Sequence, residues 1–84
     1  MTKEEKQDHV RKVVAAAGGL SVVGRHFKIA AASVKGWVDR GEIPEGRILG
    51  LSELSGWQFT PHMIDSIMYP NETDALPPEL QTAA

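Results

Sequence analysis

The chain has 84 residues, 42% of them hydrophobic and 24% charged, and its formal net charge is −2. This size predicts one small globular domain, and the absence of cysteine excludes a disulfide framework and a cysteine-based metal site. The charged start, MTKEEKQDH, predicts no signal peptide, and no apolar run approaches the roughly 20 residues of a membrane span. We therefore expect a cytoplasmic protein without a membrane partner.

The charges are unevenly distributed along the chain. Residues 1–50 hold all nine Lys and Arg against six Asp and Glu, a balance of +3. Residues 51–84 hold five acidic residues and no Lys or Arg, a balance of −5. A basic half followed by an acidic one is typical of a nucleic-acid-binding face joined to a solvated tail. Chance scatter of charges is the alternative.

A capping box opens the first predicted helix. In Thr2-Lys3-Glu4-Glu5 the threonine caps the helix, and the glutamate three residues later reaches back to the cap. The helix is therefore expected to start at Lys3, and Gly18–Gly19 is expected to stop it. Apolar residues at positions i, i+3, i+4 and i+7 predict one buried face; they are Val10, Val13, Val14 and Ala17.

Two shorter helices are predicted next, from Leu20 to Phe27 and from Ala31 to Arg40, with a break at Lys28–Ile29. Each has apolar residues at helical spacing on one side only. Those residues are Leu20, Val23 and Phe27 before the break, and Ala30, Val34, Trp37 and Val38 after it. Trp37 is therefore expected in the core, and Gly41 is expected to end the third helix.

A fourth helix is predicted from Pro44, a residue suited to a first turn, to about Leu54. Gly46 and Gly50 lie four residues apart within it. They either allow another helix to approach closely or are simply two weak helix positions. The second alternative is slightly favoured.

The pattern changes after Gly56. Trp57-Gln58-Phe59 alternates apolar and polar residues like a short strand. Thr60–Pro61 fits an N-cap and the first residue of a fifth helix, which would end near Met68. Residues 71–84 are polar and acidic and contain two adjacent prolines, so we expect a disordered tail.

The stretch from Leu20 to Trp37 is similar to the helix-turn-helix of Cro-like phage repressors, especially the small Cro/YdaS group of prophage regulators. The likeness extends over roughly Gly19 to Pro70. The residues that carry it are Val23–Gly24–Arg25, Phe27–Lys28–Ile29, Val34, Trp37 and Gly41–Glu42–Ile43–Pro44. This family usually has glycine where Lys28 stands, because the residue adopts a positive φ, and a lysine there costs on the order of 1 kcal/mol.

The resemblance implies an all-α, five-helix lambda-repressor/Cro-like domain over residues 1–70, with the helix-turn-helix at about 20–40. One short strand would lie near its C-terminal end. It further implies a transcriptional repressor of phage or prophage type in the cytoplasm of a bacterial or phage-infected cell. Such a protein binds a pseudo-palindromic operator in double-stranded DNA as a homodimer, with its third helix in the major groove.

The outward face of the third helix supplies the residues predicted to read bases. Lys35 would donate to guanine O6 or N7, and alanine methyl groups would pack on thymine methyls. The full set is Ala31, Ala32, Ser33, Lys35 and Gly36. Because Ala31 stands one turn earlier and Gly36 one position later, no neighbour can take over the hydrogen bonds of Lys35, which would make most of the direct bonds to bases. Phosphate contacts, which position the protein without reading sequence, are predicted for Ser21, Arg25, Lys28 and Arg40.

A second predicted surface, at about residues 56–69, mediates dimerisation by strand pairing, helix packing or both. In so small a chain the core covers only part of its apolar side chains. The predicted interface residues are Trp57, Phe59, Ile64, Ile67 and Met68.

No catalytic or cofactor site is predicted. His9, His26 and His62 lie on separate elements without metal-ligand spacing, and no glycine-rich phosphate loop is present. We expect no enzyme activity, no cofactor, no metal and no small-molecule substrate. The alternative to a DNA-binding regulator is a protein-interaction module, antitoxin-like or an accessory factor. The low hydrogen-bonding capacity of Ala31, Ala32 and Gly36 supports that alternative.

Overall fold

The computed structural model describes residues 2–81, and this part of the chain is small and all-α. It contains six α-helices and one 3₁₀ helix. The α-helices are α1 (Lys3–Ala16), α2 (Leu20–Phe27), α3 (Ala31–Arg40), α4 (Ile48–Leu54), α5 (Pro61–Ile64) and α6 (Pro78–Gln81), and the 3₁₀ helix is Glu45–Arg47. The predicted bounds of α2 and α3 and the predicted start of α1 are confirmed.

The capping box at the start of α1 is formed as predicted. The Glu5 backbone N–H donates to the Thr2 hydroxyl at 3.1 Å, and the Thr2 backbone N–H donates to the Glu5 carboxylate at 3.1 Å. At the other end, Gly18 and Gly19 have φ of 113° and 99°, and the Gly19 N–H donates back to the Val14 carbonyl at 2.9 Å. These positive φ angles, which favour glycine, turn the chain from α1 into α2.

A close backbone contact joins α2 to the start of α3. Lys28 ends α2 in the left-handed conformation, with φ 59° and ψ 42°, which confirms the positive φ expected there. The Ile29 N–H then donates to the Gly24 carbonyl at 2.9 Å. A Cβ atom on Gly24 would lie 2.8 Å from the Ile29 carbonyl oxygen. The absence of a side chain at Gly24 therefore lets the two helices approach at this point.

The core lies between α1, α2, α3 and α4. Its buried members are Val10, Val13, Val14, Ala17, Val23, Val34, Trp37, Ile48, Leu51 and Ile64. Trp37 is only 4% exposed, so the prediction that it is a core residue is confirmed. Phe27 packs against this core, with its ring centroid 6.1 Å from that of Trp37.

Gly50 is the point at which α4 meets α2. A Cβ atom there would lie 2.5 Å from a ring carbon of Phe27, whereas one on Gly46 would have nothing within 4 Å. Close approach, the alternative not favoured from sequence, therefore explains Gly50. Gly46 lies in the 3₁₀ helix, which occupies the predicted first turn of the fourth helix.

The prediction of a strand at residues 57–59 is wrong. The described residues contain no strand, and Trp57 has a left-handed φ of 65°. The Ser55 hydroxyl accepts a hydrogen bond from the Phe59 N–H at 3.2 Å, which holds the segment as a turn. Three alternating residues are too few to distinguish a strand from such a turn.

The fifth helix is shorter than predicted and ends at Ile64 instead of Met68. One carboxylate oxygen of Asp65 accepts from the N–H groups of Ile67 and Met68, each at 3.0 Å. Aspartate side chains compete with the helix for backbone donors in this way. The helix is therefore replaced by a turn.

The segment that follows Pro70 contains a turn at residues 72–75 and the exposed helix α6. Residues 82–84, the end of the tail predicted to be disordered, lie outside the described residues, and that disorder stays a prediction. Of the helices in the described part, none combines the length and the apolarity needed to cross a membrane.

Candidate nucleic-acid interface

The outward face of α3 consists of small residues. Ala31, Ala32 and Ser33 are exposed and Gly36 is half-buried, whereas Val34 and Trp37 on the other side are buried. The N-cap, Ala30, makes no side-chain hydrogen bond to the helix, and the first turn contains no acidic residue. The first turn of α3 therefore presents backbone and methyl groups with little side-chain bulk.

The residues predicted to bind phosphate are all on the surface. Ser21 is exposed in the first turn of α2, Arg25 is exposed in its last turn, and Lys28 is exposed at the turn before α3. Arg40 is exposed in the last turn of α3. The fold thus distributes these groups along both helices of the α2–α3 pair.

Lys35 has a partner that sequence reasoning did not assign to it. Its ammonium group donates to the two carboxylate oxygens of Asp39 at 3.0 and 3.3 Å. Both residues also line a shallow groove of about 460 Å³ together with Arg11 of α1 and Leu20 of α2. Lys35 therefore lies toward the α1 side of α3 with its donors engaged by Asp39, and its role in reading bases stays a prediction.

Arg40 lies back along α3 instead of pointing past its end. Its Nη1 atom is 3.1 Å from the position that a Cβ atom on Gly36 would occupy. This direction is the usual one, because helical side chains lean toward the N-terminus of their helix. The guanidinium group therefore lies over the small outward face, one turn before the Cα atom of Arg40.

Arg47 joins this group of basic residues, although it was not among the predicted site residues. Its guanidinium carbon lies 4.9 Å from the centroid of the Phe27 ring, and the His26 ring also meets Phe27 edge to face at 4.9 Å. This contact brings the 3₁₀ helix to the C-terminal end of α2. The sequence around Arg47 does not indicate this contact, because the contact depends on the packing of Phe27 of α2 against Gly50 of α4.

The basic residues of α1 and those around α2 and α3 differ in their pairing. In α1, Asp8 lies 3.2 Å from Arg11 and 3.0 Å from Lys12. The hydrogen bond and positive charge of Lys12, aided by Arg11, hold the pKa of the Asp8 carboxyl below its ordinary value. Within residues 2–81, no carboxylate forms an ion pair with the cations that surround the α2–α3 pair: Arg25, Lys28, Arg40 and Arg47. Positive charge is therefore left uncompensated around α2 and α3.

The side chains predicted to form the dimer interface are divided between core and surface. Ile64 is buried, and Phe59 packs against the core, where its ring meets that of His9 at 6.2 Å. Trp57 is half-buried. Ile67 and Met68 remain on the surface, 92% and 44% exposed. Ile64 thus belongs to the protomer's own core. Because the described residues contain no strand, two copies cannot dimerise by pairing strand edges at residues 57–59.

A groove of about 620 Å³ runs beside these exposed residues. It is lined by His9 of α1, the segment 41–45, Met63 and Ile67 among others. The imidazole Nε2 of His9 lies 3.3 Å from the Ile64 carbonyl oxygen, which connects α1 to α5 across the groove. The residues that the structure describes contain no group of three or more His, Asp or Glu arranged to bind a metal ion.

Comparisons of the chain with protein-family models, with curated proteins and with solved structures find no match.

Proposed function

We propose that this protein is a sequence-specific DNA-binding transcriptional repressor of the phage Cro type, which binds a pseudo-palindromic operator with α3 in the major groove. The observation that carries the proposal is that the cations on and beside the α2–α3 pair, other than Lys35, form no ion pair within residues 2–81. A helix with small outward residues enters a major groove about 12 Å wide without steric obstruction. Cations on both flanks then contact the phosphates of the two strands.

The two ends of α2 contact different phosphates in this arrangement. Ser21 and the backbone of the first turn approach one phosphate strand, which suits a helix N-terminus. Arg25 and Lys28 approach the phosphates beside the start of α3. Arg47 is held against the Phe27 ring, so fewer of its side-chain rotamers have to be fixed on binding.

A single domain of this size makes few contacts, and the proposal therefore includes a homodimer. Two copies related by a two-fold axis place their α3 helices roughly 34 Å apart, one turn of DNA. Three exposed apolar side chains in and beside α5 are available for the contact between copies: Met63, Ile67 and Met68. In this proposal these side chains form the dimer contact, in place of the strand edge expected from the sequence.

The test is the salt dependence of binding to the DNA that flanks the protein's own coding region. A dimer that neutralises about six to eight phosphates gives a slope of log affinity against log salt of about −5 to −7. Replacing Arg25 and Lys28 together with alanine removes four contacts per dimer, so the slope should become shallower by about 3 to 4. Fluorescence anisotropy with labelled duplex at four salt concentrations measures both slopes.

The matched control replaces Arg11 and Lys12 of α1, which removes the same charge from the protein. Both cations are paired with Asp8 and lie outside the α2–α3 pair. The slope should stay within about one unit of the wild-type slope. Equal changes in the two double variants would mean that net charge, and not the α2–α3 pair, governs binding.

A protein-interaction module is the second candidate function. The groove beside α5 favours it, because both Met63 and the 92% exposed Ile67 line this groove, and adjoining exposed apolar side chains are typical of an interaction surface. Affinity for DNA that hardly changes with salt would support this candidate and remove the first.

A further inference from the structure

The outward face of α3 carries two long cationic side chains, and the structure distinguishes them. Lys35 donates to both carboxylate oxygens of Asp39 and lies on the α1 side of the helix. Arg40 has no ion pair within the described residues, and its guanidinium group lies across Gly36. Only Arg40 therefore combines unpaired donors with a place over the small face.

We infer that Arg40 is the residue that reads a guanine in each half-site, and that Lys35 supplies positive charge without reading a base. The inference rests on the proposed function, and it reverses the roles that the sequence suggested for these two residues. It also assigns Gly36 a purpose, since a Cβ atom at that position would lie 3.1 Å from the Arg40 Nη1 atom and a longer side chain would displace the guanidinium group.

The chemistry of the two side chains supports this assignment. A guanidinium group presents two parallel N–H donors, which match O6 and N7 of guanine in the major groove. An ammonium group acts as a point charge and fits a phosphate as well as a base. Asp39 further reduces the charge that Lys35 offers, and its carboxylate opposes the approach of a phosphate at the same spot.

Recognition by Arg40 also requires the helix to come close to the base pairs. Gly36, Ala32 and Ala31 add little bulk to the outward face, so the backbone approaches the floor of the groove. Arg40 then reaches the bases from the last turn of α3 while its guanidinium group lies one turn earlier. A longer side chain at Gly36 would both hold α3 away from the base pairs and displace the guanidinium group of Arg40.

The test uses the full chain and a synthetic pool of duplexes with 20 randomised base pairs, because the operator is not known. Selection with the wild-type protein should enrich a motif with one strongly preferred G·C pair in each half-site. Arg40→Lys keeps the charge and loses the paired donors. It should lower the affinity for the enriched duplex by about 10- to 100-fold and leave that for a scrambled duplex nearly unchanged.

Two further variants keep the inference falsifiable. Lys35→Ala should lower the affinity for enriched and scrambled duplexes by a similar factor, because only a charge is lost. Gly36→Leu adds a better helix former, so the protein stays folded, yet its longer side chain should displace Arg40 and reduce the preference for the G·C pair. Thermal unfolding confirms that each variant is folded.

The possible failures are distinguishable. If Arg40→Lys weakens both duplexes equally, or if Lys35→Ala removes the G·C preference, the inference is wrong and the DNA-binding function stands. If the wild-type protein enriches no sequence from the pool, sequence-specific binding itself is wrong, and the inference falls with it.

Discussion

The two halves of the molecule are built by different means. Residues 2–41 form three helices of 8 to 14 residues, joined by short turns in which the positive-φ positions are Gly18, Gly19, Lys28 and Gly41. Residues 45–81 form four short helices of 3 to 7 residues, connected by turns that side chains hold through hydrogen bonds to the backbone. All but one of the Lys and Arg residues belong to the first half.

The difference shows which kinds of structure local sequence signals specify. A capping box, a 3.6-residue period and a glycine at a helix end are local, and they act together in the first half. In the second half, single polar side chains decide where a helix stops, as Asp65 does after Ile64. The first half therefore provides most of the proposed DNA-binding surface, whereas the second closes the core and carries most of the exposed large apolar residues of the described part.

The largest expected effect comes from disturbing one of the contacts between the two halves, the packing of Phe27 against Gly50. Gly50→Ala places a methyl group 2.5 Å from the Phe27 ring. The ring is confined by Trp37 and Arg47, so it cannot move away freely. We expect the free energy of unfolding to fall by about 1–3 kcal/mol, the usual cost of overpacking. Urea denaturation followed by tryptophan fluorescence measures this change.

Gly46→Ala is the control for this prediction, since the same methyl group at that position meets nothing within 4 Å. Alanine should leave the stability unchanged or raise it by up to about 1 kcal/mol. If both variants were equally stable, the packing of Phe27 against Gly50 would not connect the halves.

The sequence predicted the parts of the fold that local signals specify and missed those that depend on contacts between distant residues. The bounds of α2 and α3 depend on Lys28 and Gly41; the positive φ of Lys28 was expected from the family resemblance, and Gly41 was expected to end α3 because it is a glycine after the last periodic residue. The close approach at Gly50 could not be deduced, because it requires knowing that Phe27 lies opposite. The turn at Trp57 was also missed, since its φ of 65° depends on bonds that Ser55 makes in the folded chain.

Two buried serines allow a second test, within the second half alone. The Ser55 hydroxyl donates to the Ser52 carbonyl at 2.8 Å and accepts from the Phe59 N–H at 3.2 Å. The Ser52 hydroxyl is equally buried and has no hydrogen-bond partner in the described part of the chain. Ser55→Ala should therefore lower the free energy of unfolding by about 1–2 kcal/mol.

Ser52→Ala removes a buried hydroxyl without a partner and should raise the free energy of unfolding by about 1 kcal/mol. Opposite signs for two serines three residues apart would show that hydrogen bonds to the backbone hold this half together. Destabilisation by both substitutions would mean that Ser52 has a partner, such as a bound water. Denaturation of the two variants in parallel decides between these results.

The candidate site was predicted less completely than the helices that carry it. The exposed positions on α3 follow from helical periodicity, because Val34 and Trp37 fix the opposite side. The pairing of Lys35 with Asp39 also follows from i, i+4 spacing and could have been predicted. The direction of Arg40 over Gly36 likewise agrees with the usual lean of helical side chains, whereas the stacking of Arg47 on Phe27 depends on tertiary contacts, which no sequence period encodes.

The smallest expected effect concerns Lys28, which ends α2 in a conformation that costs a residue with a Cβ atom about 1 kcal/mol. Lys28→Gly should relieve that cost and raise the free energy of unfolding by about 0.5–1 kcal/mol, whereas Lys28→Ala retains the Cβ atom and should show no gain. Trp57 has a similar φ of 65° but is half-buried, so glycine there would lose apolar packing and is not an equivalent test.

Both variants of Lys28 lose the same charge and, under the proposed function, should weaken binding to all duplexes by the same factor. A gain in stability confined to glycine, with equal losses of DNA affinity, would mean that the lysine is strained in the fold and useful at the interface. Equal stability of the two variants would mean that the left-handed turn carries no measurable strain, and the charge of Lys28 would then be its only distinguishing feature.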